Sequence, residues 1–218
     1  EATRCLFEPY LECEGLSMLF AASGVGKTFI SYLISACLVS GNDIFDWKCS
    51  GKKRVIYFDA EMKRAQLHQR FNQINNGLPG SGIDYNDLTI IDRKFCGGKM
   101  WNLSDRSGQS LYNKYIDHHD PSLIVIDNLM SCASALNSRD TEFDVWQRVE
   151  EWSMGQIKQG RSVLIVHHAN KSGDQMGTER KRGAVETMIA LKRAPIVGLD
   201  ESVSSFELEY QKVRNAPK

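Results

Sequence analysis

The sequence predicts an α/β fold: a mainly parallel twisted sheet flanked by helices, with an antiparallel extension at the C-terminal end. Three observations carry this expectation. Short apolar runs alternate with stretches whose apolar residues recur at helical spacing, the pattern of strand–helix–strand units. The strongest runs, Leu123–Ile126 and Val163–Val166, suit buried strands, and none approaches the ~20 residues of a membrane span. Finally, 218 residues suit one core that needs neither disulfides nor metal to fold, and no repeat, linker or low-complexity tract divides them. Residues 1–218 are therefore expected to form a single domain.

A first strand is expected near Leu16–Ala21, then a helix over Thr28–Ser40 that Gly41 and Asn42 stop. A second strand, Arg54–Asp59, leads into a helix from about Arg64 to Asn75, where Leu67, Phe71 and Ile74 recur at helical spacing. Leu88–Ile91 is a weaker strand, and a helix around Ser107–His118 precedes Pro121. Strand Leu123–Asp127 opens into a polar loop, Ser131–Asp140. Helix Thr141–Gln159 follows, with Val145, Trp146, Val149, Trp152 and Ile157 on one stripe, and it ends at Gly160. Strand Ser162–His167 gives way to the most polar stretch, Asn170–Arg182. Thr187–Leu191 and Ser205–Val213 form the antiparallel extension, reached through Pro195 and Gly198.

Composition narrows the function classes. With 42% hydrophobic and 25% charged residues the chain is an ordinary globular protein, not a disordered one. Lys+Arg and Asp+Glu both number 27, so any nucleic-acid contact must come from a local basic patch or a surface built by several subunits. The six cysteines include no CxxC pair and no zinc-type Cys/His spacing, which suits reduced thiols in the cytoplasm. No signal peptide is present and the chain begins at Glu1, so it is expected to be an excised domain or processed product of a cytoplasmic protein without a membrane anchor.

The most informative segment is Ala21-Ala-Ser-Gly-Val-Gly-Lys-Thr28, between an expected strand and an expected helix. That context defines a phosphate-binding P-loop, with Ser23, Gly24, Val25, Gly26, Lys27, Thr28 and Phe29 as nucleotide contacts. Gly24 and Gly26 allow a tight turn whose backbone N–H groups converge on phosphate oxygens, and the following helix adds its positive end. Lys27 is placed to reach the β/γ-phosphates and Thr28 to hold Mg²⁺. Ala21 replaces the first glycine of the pattern, which is tolerable where that residue keeps a negative φ.

A second acid must support the metal from the end of a buried strand, and Asp127 stands there. Asn128 follows it where other ATPases carry a catalytic Glu, so the base must lie elsewhere. Glu61, just beyond the second strand, is the candidate that orients the attacking water. At the tip of the neighbouring strand His168 can hydrogen-bond the γ-phosphate and report its loss to the loop beyond. His167 and His168 face opposite ways in a strand, so they do not form a metal pair, and His118-His119 is an ordinary helix end. Nucleotide choice is open on the residues alone, but no guanine-reading NKxD element occurs, so ATP is the default.

Together these motifs resemble the RecA-type ATPases, above all the hexameric replicative-helicase branch (DnaB-like and plasmid RepA-like), from about Leu16 to Pro217. Arg182-Gly183-Ala184 and Ile189-Ala-Leu-Lys-Arg193 look like that branch's RGS-type turn and succeeding strand. Lys212-Val-Arg214-Asn-Ala-Pro217 resembles its K-x-R-N-x-P element, whose Lys and Arg reach the ATP of the neighbouring subunit. The resemblance implies a Mg²⁺-dependent ATPase that drives a DNA helicase or translocase, with Glu61, Asp127 and His168 in the family's catalytic, Walker B and switch positions. It implies a homo-oligomeric, hexameric ring completed in trans by Lys212 and Arg214, and single-stranded DNA gripped by Lys171, Arg180, Lys181 and Arg182. A recombinase-like filament and a KaiC-like regulatory ATPase that acts on a protein partner remain alternatives on the same core.

Overall fold

The computed structural model describes residues 4–80, 82–169, 183–194 and 205–214. Within them lie ten strands and five helices. Seven strands form one sheet in the order β10-β9-β3-β8-β7-β5-β6. They are β3 (Leu16–Ala21), β5 (Val55–Asp59), β6 (Leu88–Asp92), β7 (Leu123–Asp127), β8 (Ser162–His168), β9 (Thr187–Arg193) and β10 (Phe206–Val213). Every pairing is parallel except that of β10 with β9, which is antiparallel along its whole length. The fold class read from the sequence is therefore the fold observed, with β9 also pairing parallel to β3.

Alternation along the strands divides the interior into two cores, because successive side chains leave opposite faces. Val55 and Tyr57, Leu123 and Val125, and Leu164 and Val166 face one side. There they meet α1 (Lys27–Ser40) through Ile30, Tyr32 and Ile34, and α2 (Arg64–Gly77) through Leu67, Phe71 and Ile74. Ile56 and Phe58, Ile124 and Ile126, and Val163 and Ile165 face the other. They meet α3 (Arg106–His119) through Tyr112 and Ile116, and α5 (Glu142–Ile157) through Trp146, Val149 and Trp152. No helix among the described residues is long and apolar enough to cross a membrane.

Two features extend the expected layout. The loop after β7 begins with a short helix, α4 (Leu129–Cys132), whose N-terminus Asn128 caps by accepting from the Ser131 amide. A second small sheet, β2-β1-β4, joins β1 (Cys5–Glu8), β2 (Leu11–Glu12) and β4 (Lys48–Cys49). It docks on β10 through aromatic side chains: Tyr10 stacks on Tyr210 at 3.9 Å between ring centroids, and Trp47 Nε1 donates to Tyr210 Oη at 2.8 Å. The parallel strands β3, β8, β7 and β5 end at one edge of the large sheet, where Ala21 pairs with His168 and Asp59 with Asp127, while Asp127 lies opposite Val166, so that His168 reaches two residues further.

Candidate active site

At that edge lies a cavity of about 650 Å³, lined by Ser23, Gly24, Val25, Gly26, Lys27, Thr28 and Phe29 on one side and by Glu61 and His168 on the other. The seven P-loop residues named from the sequence, the candidate base and the strand-tip histidine thus share one space. Its size falls within the ~300–1,000 Å³ usual for small-ligand sites.

The loop's shape follows from its glycines. Gly24 and Gly26 hold φ of +79° and +117°, and a Cβ at either would meet nothing within 4 Å. Backbone conformation, rather than space, is what demands glycine here. Ala21 is not among the non-glycine residues with positive φ, so its methyl is tolerated in place of the first glycine. Gly26 offers no side-chain cap to α1, which leaves the first N–H groups of that helix directed at the cavity.

Lys27 is buried, and burial pushes its ammonium below the usual lysine range against the opposing pull of Glu61 and Asp127. Its three N–H groups are matched by three acceptors: Ala21 O at 2.9 Å, Ala22 O at 3.0 Å and His168 Nδ1 at 3.2 Å. The other ring nitrogen of His168, Nε2, lies 2.9 Å from both Glu61 Oε1 and Asn128 Nδ2. Asn128 Nδ2 donates to the same Glu61 oxygen. The Asn128 carboxamide cannot turn over freely, since its Oδ1 accepts from Ser131 N at 3.0 Å. Lys27, His168, Glu61 and Asn128 therefore form one hydrogen-bonded chain across the cavity.

Asp59 sets the turn that presents Glu61. Its Oδ1 accepts from the amides of Glu61 and Met62, both at 2.8 Å, and its Oδ2 accepts from Tyr32 Oη. Burial raises the Asp59 carboxyl above the usual range, opposed by the Tyr32 hydroxyl and those two amides. Ala60 N donates to Asp127 O at 2.6 Å and ties the Glu61 turn to the end of β7.

Asp127 is fully buried behind the P-loop and is joined to Asn128 by a cis peptide bond. Its Oδ2 accepts from Tyr57 Oη at 2.6 Å, while Oδ1 is buried with no hydrogen bond. Burial pushes its carboxyl up to about 7; the Tyr57 hydroxyl draws it down, the Asp59 charge raises it, and the Thr28 hydroxyl lowers it further. An unmatched carboxylate oxygen beside the Thr28 hydroxyl is the donor set a hard divalent cation takes, so these residues fit Mg²⁺. His167, by contrast, turns away from the cavity toward Glu142 at 3.9 Å.

The last two predicted positions lie elsewhere. Phe206, at the start of β10, lines the cavity, whereas Lys212 lies near the other end of that strand and Arg214 just past it, roughly 20 and 26 Å along the chain at ~3.3 Å per residue. Arg214 Nη2 donates to Gly183 O at 2.6 Å, and Nη1 lies 3.6 Å from Glu186 Oε1. Neither residue lines its own chain's cavity. Lys171, Arg180, Lys181 and Arg182 lie outside the described residues. Met62, Arg70, Gln73 and Phe206 also line the cavity and were not singled out from the sequence. The three-residue spacing of Arg70 and Gln73 on α2 was the available signal, but only the packing of α2 shows where that face points.

A parallel sheet with a glycine loop at its edge, a buried acid behind it and a carboxylate facing the loop defines a P-loop ATPase of RecA-like fold. A family model described as an AAA domain matches residues 1–174, and the chain belongs to that family. Among solved structures, a KaiC-like protein from the hyperthermophilic archaeon Pyrococcus horikoshii OT3 is similar, with a TM-score of 0.62 over 96% of this chain and 83% of that one. The two share 12% sequence identity, so the likeness is one of fold. No curated protein matches the sequence.

Proposed function

We propose that this chain is the Mg²⁺-dependent ATPase of a DNA-acting ring motor, a helicase or translocase. The observation that carries the reading is the hydrogen-bonded chain from Lys27 through His168 to Glu61, because it links the phosphate site to the end of β8. Bound Mg²⁺ would be held by Thr28 and Asp127, and would offset charge on the β- and γ-phosphates. Lys27 exchanges a partner within its own chain for a phosphate oxygen, which frees His168 Nδ1. Glu61, kept in place by Asn128, accepts a proton from the attacking water. Two residues beyond His168 begins the segment with Lys171, Arg180, Lys181 and Arg182, so the state of the phosphate is passed to the basic stretch proposed to hold DNA.

The trans role of Lys212 and Arg214 fits their place at the far end of β10, out of reach of their own chain's nucleotide. An arginine supplied by a neighbour is worth ~10³–10⁵ in rate. A KaiC-like regulatory ATPase is the second reading, favoured by the fold likeness and by the contacts that Arg214 already makes within its own chain. The two differ in their response to DNA. Wild-type turnover should rise on adding single-stranded DNA, and Glu61→Gln should keep nucleotide binding while losing hydrolysis with or without DNA. Turnover indifferent to DNA would favour the regulatory reading, and an active Glu61→Gln would remove Glu61 from the mechanism.

A further inference from the structure

A second cavity, of about 350 Å³, lies on the other side of the Glu61 turn, between the loop that follows β6 and the segment around α4. Its charged lining residues are Arg93 and Lys99, with Asn102, Ser131 and Ser134 as neutral polar groups, and no carboxylate lines it. Residues 93–99 carry Arg93, Lys94 and Lys99 and no acid, a local excess of positive charge on a chain whose net charge is zero. Beside them Phe95 is 51% exposed and Met130 48% exposed.

The loop is ordered rather than loose. Asp92 is buried at its root, and Arg64 clamps that carboxylate with two bonds of 2.7 Å, holding it below the usual range. The same carboxylate accepts from Phe95 N at 2.8 Å, and Gly98 N closes the turn on Arg93 O at 2.7 Å. Gly97 and Gly98 take φ of +82° and +108°, which permits that closure. Phe95 sits edge-on to Tyr115 at 5.3 Å, and this fixes an aromatic face at the surface.

We infer that this groove and the loop beside it bind a single-stranded polynucleotide, its phosphates on Arg93 and Lys99, which line the groove, and on Lys94 of the adjoining loop, with a base stacked on the exposed Phe95 of that loop. Basic groups that track a backbone beside an exposed ring are the chemistry of sequence-independent single-strand binding. Arg93 Nη2 also donates to Glu61 O at 3.0 Å, and Ala60 lines the groove, so a bound strand lies against the turn that carries the proposed base. The inference rests on the DNA-acting reading and deepens it, by adding a contact outside the segment after β8.

The test is binding of a fluorescent oligothymidylate to the wild-type chain, to Lys94→Glu/Lys99→Glu, to Phe95→Ala, and to the charge-matched control Lys52→Glu/Lys158→Glu. The groove variant should lose about tenfold or more in affinity at low salt, with a shallower salt dependence. Phe95→Ala should lose roughly 5- to 100-fold, as for one base stack. The control should bind like wild type, and all four should keep basal ATP turnover. Wild-type binding with both groove variants equal to the control would overturn this inference and leave the DNA-acting reading standing. No binding by the wild-type chain would overturn both.

Discussion

Lys27 has all three of its N–H groups matched within its own chain, so on the proposed reading phosphate binding there would be an exchange of partners. The partner with most reason to yield is His168, whose other nitrogen already engages Glu61. Asn128 keeps the carboxylate in place during that exchange, because its Oδ1 is fixed by Ser131 N and its Nδ2 faces Glu61. Asn128→Ala should leave nucleotide affinity within a few-fold of wild type and lower kcat by about 10- to 100-fold, the cost of a misplaced catalytic group. An unchanged kcat, measured beside a fluorescent-nucleotide titration, would deny Asn128 that role. The sequence showed the P-loop because its spacing is local, and Asp127 and Glu61 because each stands where an apolar run ends. Asn128 stood out there only as the absence of a catalytic Glu. Its partnership with Glu61 depends on the pairing of β5 with β7, which sets Asp59 opposite Asp127 across 68 residues of chain. Tyr32 and Tyr57, which hold the two acids, carry no signal of that role in the sequence, because it depends on the packing of α1 against β5.

At the scale of elements, strands and helices with a strong period were legible to within two residues. α5 runs from Glu142 to Ile157 where Thr141–Gln159 was expected, because Thr141 is its cap rather than its first turn. Thr141 Oγ1 accepts from Asp144 N, and Asp144 Oδ2 accepts from Thr141 N, a reciprocal capping box. Thr141→Ala should lower stability by about 1 kcal/mol, read as a lower midpoint in urea with an unchanged slope. An unchanged midpoint would mean that the burial of Trp146 and Val149 alone fixes the helix start. The β1-β2-β4 sheet was missed for a physical reason. Two-residue strands such as Leu11–Glu12 and Lys48–Cys49 have no period to detect, and their pairing rests on contacts such as that of Trp47 with Tyr210, 163 residues apart. The loop after β6 carries no motif in the sequence, since what it forms depends on what α4 and the Glu61 turn place beside it.

Over the whole molecule, the nucleotide site opens at one edge of the sheet, while Lys212 and Arg214 end its outermost strand at the other. On the proposed reading, such a chain would offer an arginine that its own nucleotide does not reach, and heterologous contacts between copies would bring it to the next site. The mainly parallel character of the sheet was readable from the alternation of apolar runs with helical stretches, and the phosphate loop from its motif, but assembly is not written in a neutral chain of ordinary composition. The most direct test of the central claim is ATP turnover per subunit, with and without single-stranded DNA, across protein concentration, with mass determined in the same samples. Turnover should be low in the monomer, rise with assembly, rise further with DNA, and be lost in Arg214→Ala. Robust turnover by a monomer, unaffected by DNA and by Arg214→Ala, would contradict that claim.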